Sequence, residues 1–68
     1  MMNNFNPVVG HHYFSRGYYS TFCVVEDVLP VKIGERWISH GIVICKNTIG
    51  ENRFARLTSD FVEEFEPE

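Results

Sequence analysis

The chain lacks most of what a catalytic or metal-binding assignment would rest on. Its two cysteines and three histidines form no Cys-x-x-Cys and no His-x-x-x-His, so the ligand spacings that zinc sites use are absent. Adjacent His11 and His12 point to opposite faces of any strand, which leaves at most one of them for a given site. The five glycines are scattered, and none opens a phosphate-cradling loop. Cys45, His40 and Asp27 supply the types for nucleophilic catalysis, but no spacing selects them. No apolar run approaches the ~20 residues that a membrane-crossing helix needs. The start, Met1 to Pro7, has neither the basic segment nor the apolar block of a signal peptide. Basic residues are few, six against nine acids for a net charge of −3, and phosphate neutralisation supplies most nucleic-acid affinity. The expectation is a cytoplasmic non-enzyme with no cofactor, no metal and no membrane association.

What is present is a series of β-branched and aromatic runs cut by turn residues. Residues 8–14, 18–28, 36–46 and 51–57 read as strands, with Gly10 and Gly41 as bends and 47–50 as a hairpin turn. Residues 29–35 hold Pro30 and Gly34 and read as a loop or an edge, because proline cannot donate to a sheet ladder. In 18–28 neither alternating set is purely polar. Either both faces are covered or the strand changes face midway, with Phe22, Val24 and Val28 inward. The length allows one domain with a thin core. Its organisation reads as a flexible lead-in over 1–7, with Phe5 tucked onto the body, a single β-barrel domain over 8–66, and an acidic end at 67–68.

The last segment changes period. Asp60 followed by Glu63 has the form of a helix cap with its reciprocal partner. Phe61 and Phe65 stand one helical turn apart and share a face. A helical turn plugging the open end of the barrel follows, in competition with a short fifth strand ending at Glu66. Arg56 is expected to pin that turn to the barrel by an ion pair, so that Arg56→Ala lowers the melting temperature and leaves any partner surface intact. Cys23 and Cys45 read as small buried apolar residues, and strand register decides whether they adjoin. Five of the nine acids fall in the last nine residues, which reads as a solvated acidic terminus behind a mildly basic body.

From Gly17 onward the chain resembles small bacterial and phage proteins that form SH3-like barrels. The residues that carry the resemblance are Tyr13 and Gly17, the Phe22-Cys23-Val24 strand, the run Ile42-Val43-Ile44, Arg56 with Phe61, and the ending Glu63-Glu64-Phe65. The resemblance implies an all-β, small SH3-like barrel of four to five bent antiparallel strands with one short C-terminal helical turn. It implies no chemistry, and a small barrel serves many unrelated tasks. The functional expectation is a non-enzymatic protein-interaction module, a phage or prophage accessory protein that binds or inhibits a host protein. Tyr18, Tyr19, Arg36, Trp37 and Arg53 are its candidate partner-binding residues. Arg56, Asp60, Phe61 and Phe65 are its candidate structural ones. Self-association is a further expectation, since open sheet edges gain burial by pairing. The alternative is a barrel that binds single-stranded nucleic acid by stacking bases on aromatics beside Arg16, Arg36, Arg53 and Arg56.

Overall fold

The computed structural model describes residues 5–17, 22–50 and 52–68. Five strands pair antiparallel in the spatial order β4-β3-β2-β1-β5. They are β1 (His12–Ser15), β2 (Phe22–Ile33), β3 (Arg36–Asn47), β4 (Arg53–Leu57) and β5 (Phe65–Pro67), and one helix, α1 (Thr58–Glu64), lies between β4 and β5. Sequence neighbours pair directly, and only the last strand crosses over, to lie beside the first.

The first strand is shorter than the sequence indicates. Its beginning, 8–11, is a tight turn with Gly10 at φ +88°, and Gly10 N–H donates to the Val25 carbonyl at 2.8 Å. Residues 5–7 are packed rather than loose at their aromatic end: Phe5 stacks on Tyr13 with ring centroids 5.4 Å apart. Val8 N–H donates to the Tyr13 hydroxyl at 2.8 Å, which satisfies that buried phenol.

The larger correction concerns the loop alternative for 29–35; the edge alternative agrees with the sheet, since 29–33 pairs with β3 alone. There is no long loop; β2 runs through Pro30 to Ile33 and turns on two residues into β3. Gly34 sits first in that turn at φ +62° and Glu35 has no positive φ, the glycine-first hairpin geometry that matches strand twist. Pro30 is accommodated because the ladder skips it: Leu29 pairs with Ile42 and Val31 with Ile38, so residues 39–41 bulge opposite the proline. His40 takes φ +56° within that bulge. A second bulge leaves Glu26 unpaired between Val25–Cys45 and Asp27–Ile44. It switches parity, so Cys23 and Val25 face the core before it and Val28 packs on the core after it. Of the expected inward set, Phe22 and Val24 are therefore only half-buried.

The core is Tyr13, Cys23, Val25, Val43, Cys45, Phe61 and Phe65, with Phe5, Val28 and Phe54 packed against it. Phe61 and Phe65 stack with centroids 4.7 Å apart and planes at 9°, and Tyr13 meets Phe61 edge-on at 5.3 Å. The helix and the fifth strand coexist: α1 delivers Phe61, and the chain then straightens so that Phe65 opens β5 against β1. Asp60 does not cap. The N-cap is Leu57, still extended at the end of β4, and no side chain bonds there. Asp60 lies inside the first turn, where its charge complements the helix dipole. The acidic terminus is likewise a paired strand. Pro67 stands opposite Tyr13, and Glu68 N–H donates to the His12 carbonyl.

The outer half of the β2–β3 ribbon projects from this body as an arm. Every residue from 32 to 40 is exposed. The molecule measures 38 × 30 × 17 Å with a radius of gyration of 11.9 Å, against about 11 Å for a compact chain of this length.

Candidate functional site

The arm gathers the surface that a globular chain of this size ordinarily hides. Ile33 is 57% exposed, Trp37 67% and Ile38 42%, and Leu29 at its base is also exposed. Cross-strand partners share a face. The pairs Val31–Ile38 and Ile33–Arg36 therefore lie on one side of the arm and Lys32–Trp37 on the other. The Lys32 ammonium stands 5.9 Å from the Trp37 ring centroid, a cation–π contact at an exposed position.

The first of these faces borders a cleft of about 420 Å³ whose lining includes Val31, Ile33 and Ile38 from the arm and Leu57, Thr58 and Ser59 from the corner where β4 meets α1. The corner is tied to the bulge, since Thr58 Oγ1 donates to the His40 carbonyl at 2.5 Å. Gly41 makes the close approach between β2 and β3 here. A Cβ on it would stand 3.0 Å from both the Val31 Cβ and the Ile38 carbonyl oxygen.

The three expected partner-binding residues that are described, Arg36, Trp37 and Arg53, do not form one patch. Arg36 and Trp37 are on the arm but on opposite faces. Arg53 pairs in register with Lys46 at the other end of β3, roughly 30 Å away at ~3.3 Å per residue. Its guanidinium is already engaged with Glu26 at 2.9 Å. Tyr18 and Tyr19 lie outside the described residues. Sequence reasoning left out Leu29, Ile33 and Ile38; the signal for them was the Gly34-Glu35 pair flanked by β-branched residues, a two-residue hairpin turn.

The other cations are structural. Arg16 sits where α1 ends, with its guanidinium donating to the Val62 carbonyl at 3.1 Å and to that of Glu63, and its backbone N–H to the Glu64 carbonyl at 2.8 Å. A residue just past the end of β1 thus satisfies the helix's last carbonyls, which no basic residue of its own last turn serves. Arg16 also pairs with Glu66 at 3.6 Å. Arg56, on β4, pairs with Glu64 at the end of α1, an ion pair between the sheet and the helical turn. Phe61 and Phe65 are buried in the core.

Cys23 and Cys45 are free, buried and hydrogen-bonded to one another across β2 and β3. The hydrogen bond from Cys45 pulls the Cys23 thiol below its ordinary value, although burial works against this. The same bond, together with burial, pushes Cys45 far above its own. Among the described residues no group of three or more His, Cys, Asp or Glu side chains is placed to hold a metal ion, and no helix is long and apolar enough to cross a membrane. No family model matches the chain, nor does any curated protein or solved structure.

Proposed function

We propose that this protein is a non-enzymatic interaction module, a small SH3-like barrel that binds another protein through its projecting arm. The observation that carries the reading is Trp37, held 67% exposed on a ribbon with apolar side chains on both faces. Aromatic residues of this kind dominate interface energetics when a partner desolvates them. The barrel reading is supported by the strand order and by the short helix between the last two strands. The resemblance noted in the sequence makes the partner a host protein of a phage or prophage factor.

Trp37 is the only tryptophan, so its emission reports on this face directly. Affinity capture from host lysate is expected to retain a protein that the Trp37→Ala chain does not retain, and adding that purified protein is expected to shift the emission to shorter wavelength. Equal capture by both chains overturns the reading. The second reading, single-stranded nucleic acid, is favoured by Lys32 beside the exposed ring and opposed by the net charge of −3. Anisotropy of a labelled oligonucleotide that is high at low salt and collapses at moderate salt would replace the first reading with this one.

A further inference from the structure

The face of the arm opposite Trp37 carries its own inference, independent of the partner just proposed. We propose that it takes a second copy of this chain, in a two-fold dimer in which each arm lies along the other protomer's β4–α1 corner.

Three observations converge on this occupant. First, a single chain carries both halves of the contact. Val31, Ile33 and Ile38 form an apolar projection, and Leu57, Thr58 and Ser59 form the far wall of the cleft beside it. In a two-fold interface a surface that meets patch B with its patch A necessarily offers B to the partner's A, so one complementary pair is used twice.

Second, the charges match on those same faces. Arg36 is the register partner of Ile33 and shares its side of the arm. Glu63 stands four residues beyond Ser59 on α1, one helical turn along the cleft-lining side. Neither side chain has an ion-pair partner among the described residues. An unpaired cation beside the apolar projection and an unpaired anion beside the apolar wall set the register of one arm on the other corner.

Third, the size is right. A standard interface takes about 800 Å² from each partner, roughly one sixth of this chain's 4896 Å². Residues 29–40 are twelve of 68, and all but Val31 are exposed; the contact draws on the Val31, Ile33, Arg36 and Ile38 side of the arm together with the corner, each used twice across the two-fold axis. A two-stranded ribbon is marginal in water by itself, and a thin core leaves little to hold it straight. The chain's own acidic end is not available as cover, because β5 is paired with β1. A nucleic acid would be repelled by Asp60 and Glu63 beside the cleft.

Sedimentation velocity between about 1 µM and about 1 mM tests the proposal. The wild-type chain is expected to pass from monomer to dimer within that range. Arg36→Glu and Glu63→Arg, both at exposed positions, are each expected to weaken dimerisation at least about tenfold, because like charges then face one another. Mixing the two variants is the decisive arm. In the mixed dimer both contacts again join opposite charges, so dimer is expected to return although neither variant dimerises alone. Circular dichroism of each variant confirms that it is folded. A wild-type chain that stays monomeric overturns the proposal, as does a dimer indifferent to both reversals, which would place the interface on another surface such as the β4 edge. Failure of the mixture to recombine overturns it equally. Trp37-dependent capture of a different protein by a monomeric chain would reject the dimer and leave the preceding reading in place.

Discussion

Along the single β2–β3 ribbon, two stretches of similar composition meet opposite fates. From Phe22 to Val28, opposite Val43 to Asn47, the ribbon presents Cys23, Val25, Val43 and Cys45, and all four are buried to 1% exposure or less. From Leu29 to Ile33, opposite Arg36 to Ile42, it presents Leu29, Ile33, Trp37 and Ile38, and all four are exposed. Strand propensity and hydrophobicity do not separate the two. What separates them is cover. The inner half lies under Tyr13 from β1, Phe61 from α1 and Phe65 from β5, whereas the outer half is met only at its base by the β4–α1 corner, through Leu57 opposite Ile42 and Thr58 on the His40 carbonyl. Burial here is a property of topology, and the residues that escape it are the ones the proposed arm surface draws on.

The comparison breaks most completely if the cover is removed. Phe61→Ala deletes a ring that touches Phe5, Tyr13 and Phe65 and leaves a void at the centre of a seven-residue core. It is expected to cost about 3–5 kcal/mol, enough to unfold much of a domain this small, and urea titration measures it. A loss below about 1 kcal/mol would show that the inner half does not depend on α1 for its burial.

The next largest effect is at the boundary between the halves. Gly41→Ala places a methyl 3.0 Å from the Val31 Cβ and from a backbone oxygen that cannot retreat. The expected loss is about 1–3 kcal/mol. The bend opposite Pro30 would open and the angle of the arm would change, so this variant is also expected to weaken the proposed contacts of the arm. Chemical denaturation and sedimentation measured together separate the two consequences.

The thiol pair reports on the inner half through pH. In the unfolded chain both thiols ionise near about 8.5. In the folded chain Cys23 is pulled down and Cys45 is held far up, so at higher pH the folded state keeps one proton that the unfolded state has released. Stability from Cys45 is therefore whole below the ordinary thiol value and falls as pH rises past it, by up to about 1.4 kcal/mol per pH unit. Thermal melts at rising pH are expected to show this fall, and Cys45→Ala is expected to flatten it. An unchanged slope would mean that the pair is open to solvent.

The sequence carried the inner half well and the outer half poorly, for identifiable reasons. Phe61 and Phe65 at helical spacing pointed to a plug that seals the sheet, and alternation located the strands. Pro30 was half-legible: of the loop and edge alternatives it suggested, the edge one holds, since 29–33 pairs with β3 alone. A proline ordinarily ends a central strand, but here a bulge of residues 39–41 spares it a ladder bond, and no pattern in 29–35 announces a bulge on the strand opposite. The glycine-first pair Gly34-Glu35 carried a hairpin signal that the loop-or-edge reading of 29–35 passed over. The parity switch at Glu26 was half-legible, since the mixed faces of 18–28 indicated a change of face without fixing its place. Arg16 was illegible: its role depends on β1 passing the end of α1, 46 to 47 residues away in the chain. The same holds for the split between Trp37 and Arg36, because opposite faces follow from a register that composition does not reveal.

The smallest expected effect sharpens the comparison most. Trp37→Ala removes the largest side chain in the protein, and in a core that change costs about 3–5 kcal/mol. On the arm, 67% exposed and touching Lys32 alone among the aromatic and cationic contacts described, it is expected to change stability by less than about 0.5 kcal/mol. Denaturation should be followed at low protein concentration, where self-association does not add to apparent stability. A loss above about 1 kcal/mol would mean that the ring is structural and that the outer half is folded by its own contacts. A loss near zero, alongside lost capture of the partner, would place the ring's free energy in recognition. The two halves of one ribbon would then have divided stability from binding, the inner half keeping the fold whether or not the outer half is occupied.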